Sequence, residues 1–471
     1  NSEFIMTQGL YLSRRRFLTT ATTAIAAPHV ISSSALGKDG VAPPSERTTI
    51  GMLGVGNRGS SSIRALSPLP EAQIVAIADP RAERRELARK DVDKTYAKRA
   101  NKASYKACRV YNDFRDLLAR DDIDAVWGCA PDHWHGVLYN RVLEAGKDMY
   151  GEKPLTRWIA EGFTVCDAVR RYGRVFQTGT QQRSCPQFRE ACELAINGYL
   201  GKIHTVRVGV PGGKVCELEP PCDPPKGFDY DLWTGPAPMI PFDNKRCEWL
   251  AMYMISHYCA GFITNWGVHH LDIAGWGCPE IFEKRFEVEG QGILPPGGMS
   301  DTWIAWRVEF HYPSGLKLSF TDKREPSFAA FGKDTPRTDL GGIEANESGC
   351  LFEGDQGWVR VDRAGIWANP ESLLSVRFKP SDMRLHASPA CDNDRGGYVS
   401  HSADFLRSIR TRQDPVSPVE SGQAASTLGN VADIALRLGR KLTWDPTAKR
   451  FLNDDDANNM LMRPLRGPWT I

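Results

Sequence analysis

The chain has 471 residues, 41% apolar and 25% charged, with a formal net charge of +2 at neutral pH. This length accommodates two or three domains, and the composition excludes a disordered, collagen-like or coiled-coil chain. No basic run occurs beyond the extreme N-terminus, so nothing marks a nucleic-acid surface and a small-molecule partner is expected.

At the start, Ser13-Arg14-Arg15-Arg16-Phe17-Leu18 precedes a weakly apolar run, Thr19 to Ile31, and then a small-residue stretch, Ser32 to Gly37. The order resembles a twin-arginine signal; a plain basic tail is the alternative. Residues 1–37 are therefore read as a short cloning remnant, Asn1 to Ile5 ahead of Met6, followed by a signal that exports an already folded, cofactor-loaded protein to the periplasm or beyond. Residues 38–47, with Gly, two prolines and charges, read as a linker. Past residue 50 no apolar stretch approaches the roughly 20 residues that span a bilayer, so no membrane span is expected after signal removal. The twelve cysteines lack a repeated C-x-x-C spacing, and no metal site is expected. Cys216 and Cys222 are candidates for pairing in an oxidising compartment, against the ordinary state of buried free thiols.

In chain order, Thr48 to Leu53 reads as a strand, Gly54 to Gly59 as a break, and Ser60 to Leu66 as helix-compatible. Gln73 to Ala78 is a second strand ending at Asp79, Arg81 to Lys102 a charged helix, and Ile123 to Ala130 a third strand ending at Pro131. This alternation predicts a doubly wound α/β unit with a parallel sheet over 48–184. The texture then changes. Ile203 to Val210, Trp303 to His311, Leu316 to Asp322 and Gly357 to Asp362 read as strands of a mostly antiparallel sheet in an α+β domain over 185–445, with a hairpin at Pro313-Ser314-Gly315. Residues 211–250 and 323–350 read as long surface excursions, Tyr398 to Ser408 and Gly422 to Leu438 as helices, and 446–471 as an irregular tail.

Gly54-Val55-Gly56-Asn57-Arg58-Gly59 matches G-x-G-x-x-G between a strand and a helix, and the next strand ends in an acid. Gly54 permits the tight turn, Gly56 admits a pyrophosphate, Gly59 lets helix pack on strand, and the helix N-terminus offers N–H groups to phosphate. Asp79 accepts from adenosine ribose hydroxyls and repels a 2′-phosphate, favouring NAD over NADP. Arg81 pulls the other way if it pairs with a 2′-phosphate; a solvated arginine is the plainer reading.

Further motifs follow: Pro131-Asp132-His133-Trp134-His135, Glu144-Ala145-Gly146-Lys147, Gly151-Glu152-Lys153-Pro154-Leu155 and Gly179-Thr180-Gln181-Gln182-Arg183-Ser184. Later come Leu232-Trp233-Thr234-Gly235-Pro236-Ala237-Pro238 and Asn265-Trp266-Gly267-Val268-His269-His270-Leu271-Asp272. Together these resemble the Gfo/Idh/MocA oxidoreductases, most of all the signal-bearing, sugar-acting branch.

The resemblance implies a Rossmann domain, a C-terminal α/β domain on an open sheet, and homo-oligomers, dimers or tetramers, formed through that sheet. It lays Asn57, Arg58, Pro131, His135, Glu152 and Lys153 along the cofactor and places Lys153, near a cis-proline peptide, between nicotinamide and the reacting hydroxyl. A lysine beside a cationic ring should titrate low and exchange protons near neutrality. His269 matches the histidine that contacts the substrate hydroxyl. Asn265 stands where the pattern has an aspartate, which leaves His269 the weaker base and shifts proton transfer towards Lys153. Asp272 restores a charge only if it points into the cleft; helix packing is its commoner role.

Arg183, His257 and Tyr258 are lesser substrate-contact candidates, Arg183 being equally readable as half of a structural ion pair. His133 and His135 allow two readings, contact with substrate or ribose, or loop packing. Trp233, Trp249, Tyr253 and Tyr258 are compatible with stacking on sugar faces, though most tryptophans are core. The expected activity is NAD-dependent oxidation or reduction of a hydroxyl of a sugar, glycoside or inositol, with tightly retained cofactor. Two alternatives stay open: a redox-neutral NAD-dependent glycoside hydrolase, and a non-catalytic sugar or dinucleotide sensor.

Overall fold

The computed structural model describes residues 46–106, 108–322, 348–391, 394 and 396–471. The signal read over 1–37 and most of the 38–47 linker lie outside the described residues, as does 323–347 of the second excursion.

Six short strands form the first sheet: β1 Thr48–Leu53, β2 Ala72–Ala78, β3 Arg109–Tyr111, β4 Ala125–Gly128, β5 Asp148–Gly151 and β6 Phe176–Thr178. All are parallel, in the order β3-β2-β1-β4-β5-β6, the doubly wound arrangement that brings a crevice to the carboxyl ends of β1 and β4. β1 is apolar because both its faces are covered. Ile50 and Met52 pack in one core, and Leu53 in another across the sheet. The helix following β1 spans Asn57–Leu66, so it starts inside the glycine motif and not at Ser60.

Nine strands form the second sheet: β7 Ile203–Val210, β8 Phe286–Ile293, β9 Ala305–His311, β10 Lys317–Asp322, β11 Gly349–Gly354, β12 Gly357–Val361, β13 Ile366–Asn369, β14 Leu442–Asp445 and β15 Arg450–Phe451. Their order is β13-β12-β11-β7-β10-β9-β8-β14-β15, antiparallel throughout except for β7 with β10. The hairpin at 313–315 joins β9 to β10, with Gly315 at φ +90° where a side chain would strain the turn. Val206, Val208, Phe310, Leu318 and Phe352 bury one face against helices Pro186–Ile196, Gly267–Gly277 and Val419–Leu438.

The two sheets share one compact unit, Thr48–Ile471. Phe405 and Leu406, on the helix Tyr398–Thr411, pack in the first sheet's core beside Ile50 and Trp127, so the later part of the chain completes the earlier fold. The segment read as an irregular tail is likewise structured. It carries β15 and a helix, Asp455–Asn459, whose N-terminal N–H groups are capped by Asp454. Arg463 then pairs with buried Glu161 at 2.8 Å and donates to the His133 carbonyl, and Trp469 meets Trp134 edge-on with ring centres 4.7 Å apart. All twelve cysteines are free thiols, Cys216 and Cys222 included, which replaces the pairing considered for them.

Because Trp469 backs the wall formed by Trp134, Trp469→Ala should cost about 2 kcal/mol, less than a fully buried tryptophan because the ring is only half-buried. A urea midpoint equal to that of the unmodified protein would show that the terminal segment is not docked.

Candidate active site

The glycine turn after β1 is built by close approach. Gly54 has φ +78°, and a Cβ there would lie 2.7 Å from the Cys129 carbonyl oxygen. A Cβ on Gly59 would sit 2.2 Å from the Gly54 oxygen, so helix and strand touch through bare backbone. Gly56 differs. Its nearest neighbour would be the tip of Arg84 at 3.1 Å, which leaves the Gly56 backbone open towards a cavity of about 600 Å³. No side chain caps the following helix and no acid sits in its first turn. The turn therefore offers an anion space, backbone N–H groups and the positive end of a helix dipole.

Asp79, 5% exposed, accepts from the backbone N–H of Val55 at 2.9 Å and of Arg81 at 2.8 Å. These bonds lock its carboxylate beside the turn, on the same cavity. Burial raises its pKa, and the two N–H donors oppose the rise. This set of groups fits a dinucleotide: a bare-backbone cradle for pyrophosphate and an acid for ribose hydroxyls.

From the carboxyl end of β5, Glu152 pairs with Arg58, whose guanidinium lies over the Tyr398 ring at 4.7 Å. The Lys153–Pro154 peptide is cis. Lys153 Nζ donates to the Asn265 backbone oxygen at 2.7 Å, and both residues line the cavity. Burial lowers the Lys153 pKa, against the pull of Glu152 and Asp132.

His269, on the helix Gly267–Gly277, lines the same cavity at 6% exposure. Its Nδ1 is buried without a hydrogen-bond partner among the described residues. Burial pushes its pKa well below the usual imidazole value, and Lys153 and Arg363 push the same way. A protonated ring would carry an unsatisfied buried N–H, so His269 is held neutral. No hydrogen bond joins it to the Asn265 amide; Asn265 acts on the site through its carbonyl.

Two family models match the chain: the NAD-binding Rossmann fold of the Gfo/Idh/MocA oxidoreductases over residues 48–180, and the family's C-terminal alpha/beta domain over 396–471. Both matched stretches are thus similar to the Gfo/Idh/MocA family. Among curated relatives, the uncharacterized oxidoreductase YrbE of Bacillus subtilis is 30% identical over 158 residues, 34% of this chain and 42% of its own. An alpha-N-acetylgalactosaminidase of Shewanella oneidensis is 32% identical over 133 residues, 28% of each chain. The chain thus matches less than half the length of these relatives. Among solved structures, levoglucosan dehydrogenase in complex with NADH and L-sorbose superposes with a TM-score of 0.59 at 15% identity, covering 84% of this chain and 99% of that one, a likeness of fold.

The residues expected at the cofactor fall on one cavity: Gly54, Gly56, Asn57, Arg58 and Asp79 at one end, with Pro131, His135, Glu152 and Lys153 beyond. Gly59 lies behind the turn as a packing residue. His135 borders the cavity, but its ring nitrogens face the carbonyls of Pro154 at 2.7 Å and Ala130 at 2.9 Å, so the ring ties the loop after β4 to the Pro154 turn. His133 is buried beside Trp233 and Tyr258, the loop-packing reading.

Three expected substrate contacts lie off the cavity. Arg183 makes a two-pronged pair with Asp272, both bonds 2.7 Å, under the Trp276 ring. The pair settles Asp272 as well: it packs its helix and does not face the cleft. His257 is exposed, and Tyr258 is packed against His133 and Trp233. In their place the cavity wall has Asp132, Tyr253, Trp266 and Arg363. Asp132 sits inside a motif already singled out for its histidines, and its carboxylate is buried near Cys259 and Lys153. Arg363 carries no local signal, since only the sheet's closure brings it there.

Asp272→Ala strands a buried guanidinium, so it should lower stability by about 3 kcal/mol in chemical denaturation, and Arg183→Met/Asp272→Leu should regain most of the loss. A single variant as stable as the parent would contradict the buried pairing.

Proposed function

We propose that the protein is an NAD-dependent oxidoreductase that oxidises or reduces a hydroxyl of a sugar, glycoside or inositol. One observation carries this reading: the glycine cradle, Asp79, Lys153 and His269 all line a single cavity. Bound NAD supplies the hydride acceptor. Everything else is done by the chain's own groups. Lys153, its ammonium form disfavoured by burial, accepts the hydroxyl proton and returns it in the reverse direction. The Asn265 carbonyl, holding Nζ at 2.7 Å, aims that amine across the cavity. Neutral His269 positions the hydroxyl by hydrogen bonding and is a poor base, because no acceptor supports a proton on its buried Nδ1. Trp233, Trp249 and Tyr253 border the cavity as surfaces for a sugar ring.

The reading extends to an exported protein that folds around its cofactor, keeps it, and works as a homo-oligomer; the paired arginines at 14–16 support export of a folded chain. The match to the Shewanella oneidensis alpha-N-acetylgalactosaminidase favours a second reading on the same residues. There, transient oxidation of a ring carbon acidifies the adjacent C–H, the aglycone leaves, water adds, and reduction returns the hydride. Incubation with free sugars, inositols and aryl glycosides while cofactor absorbance and aglycone release are both followed separates the two. Net reduction of cofactor supports the dehydrogenase, and release without net reduction the hydrolase; neither, from nucleotide-loaded protein, overturns both.

Lys153→Met should lower turnover by roughly 10²- to 10⁴-fold, as loss of a proton-transfer group does, while nucleotide still binds through the cradle; retained turnover would remove Lys153 from the mechanism. Oxidation requires the neutral amine, so its rate should climb with pH through a pKa below the ordinary lysine value of 10.5, and the reduction rate should fall over the same range. Asn265→Asp adds a negative charge that favours the ammonium form, and the ascending limb should move to higher pH. An unshifted profile would mean that the 265 side chain is not felt by Lys153.

A further inference from the structure

Asp79 is one of two acids at the cofactor's expected adenosine end. The other comes from far along the chain. Arg81 and Arg84, just past β2, are the cations that a 2′-phosphate would seek, and Arg84 borders the cavity. The two arginines face a single carboxylate. Glu248 Oε1 lies 3.1 Å from Arg81 Nη1, and its Oε2 lies 3.9 Å from Arg84 Nη2.

Glu248 belongs to the excursion over 211–250, which is docked on the end of β2 by several contacts. The Arg81 guanidinium rests on the Phe228 ring at 4.1 Å, and Arg81 and Phe228 form an isolated antiparallel bridge. Ala82 N–H donates to the Gly227 oxygen at 2.8 Å, Asp229 N–H to the Pro80 oxygen at 3.0 Å, and the Asn112 amide to the Asp229 carboxylate at 2.8 Å. Trp249, next to Glu248, lines the cavity. Glu248 is therefore placed beside the adenosine end by the backbone on either side of it. Its side chain is 51% exposed, a setting in which an ion pair contributes little to folding, so the consequence is to be sought in ligand choice.

We infer that Glu248 is a specificity-determining residue that occupies Arg81 and Arg84 and so turns away the 2′-phosphate of NADP. The assignment rests on the dinucleotide-binding reading above. A phosphate monoester brings a charge of about −1.5 to −2 at neutral pH. To bind, it must displace Glu248 from both guanidinium groups and then lie near that carboxylate. NAD brings only hydroxyls to the same corner and meets Asp79 without this conflict. Selection is made by repulsion from the second half of the chain as much as by attraction in the first.

The test is the ratio of Kd for NADP to Kd for NAD, measured by tryptophan fluorescence on nucleotide-stripped full-length protein. The unmodified protein should prefer NAD. Glu248→Gln should lower the ratio about tenfold, the scale of one freed charge-assisted contact, Glu248→Lys should lower it further, and Glu248→Asp should preserve it. Adding Arg81→Gln to Glu248→Gln should erase the gain. An unchanged ratio in Glu248→Gln, a preference of the unmodified protein for NADP, or an equal gain in the double variant overturns the assignment while leaving dinucleotide binding intact. Failure of the unmodified protein to take up either nucleotide removes both.

Discussion

A single hydrogen bond, from Lys153 Nζ to the Asn265 carbonyl, joins the carboxyl end of β5 to the helical segment that leads into His269. Lys153 is half-buried, and drawing its amine out of water is costly unless its donors are satisfied. The bond meets part of that requirement and fixes which way the side chain points. It also unites the two halves chemically: the first sheet supplies the cradle and the lysine, and the second region supplies the carbonyl, the histidine and the aromatic wall. Neither half holds the cavity alone.

The same division recurs in how the cavity is supported. Phe405 and Leu406 close the first sheet's core, Trp469 backs Trp134, and the 211–250 excursion seats on the end of β2. Each contact is long-range in sequence, and the last two lie behind residues that border the cavity, Trp134 and Asp79. Opening the contacts behind Trp134 or Asp79 would therefore disturb the cavity wall from a distance in sequence.

Much of this was legible in the sequence where local constraint is strongest. β1, β2, β7, β10 and β12 follow from apolar runs and alternation, and the glycine motif with Asp79 fixes the cofactor end, because backbone approach leaves no substitute for glycine there. The short strands β3, β5 and β6 were not seen, since three or four residues carry too little pattern; nor were edge strands such as β13. The helix carrying His269 is buried all round and gives no 3.6-residue period, so its place came from family resemblance alone. Arg183 shows the limit of residue type as a guide. A lone arginine reads equally as a sugar anchor or a structural cation, and its partner Asp272, 89 positions away, decides between them. Arg363 and Glu248 reach the cavity's surroundings only through tertiary closure.

The central claim, that the glycine turn, Asp79 and Lys153 together hold a nicotinamide dinucleotide, is tested most directly by mass spectrometry of nucleotide released from gently purified, unsubstituted protein. The account predicts NAD or NADH at close to one molecule per chain, or stoichiometric uptake when the protein has been stripped. Protein that carries no nicotinamide nucleotide and takes up none would contradict it.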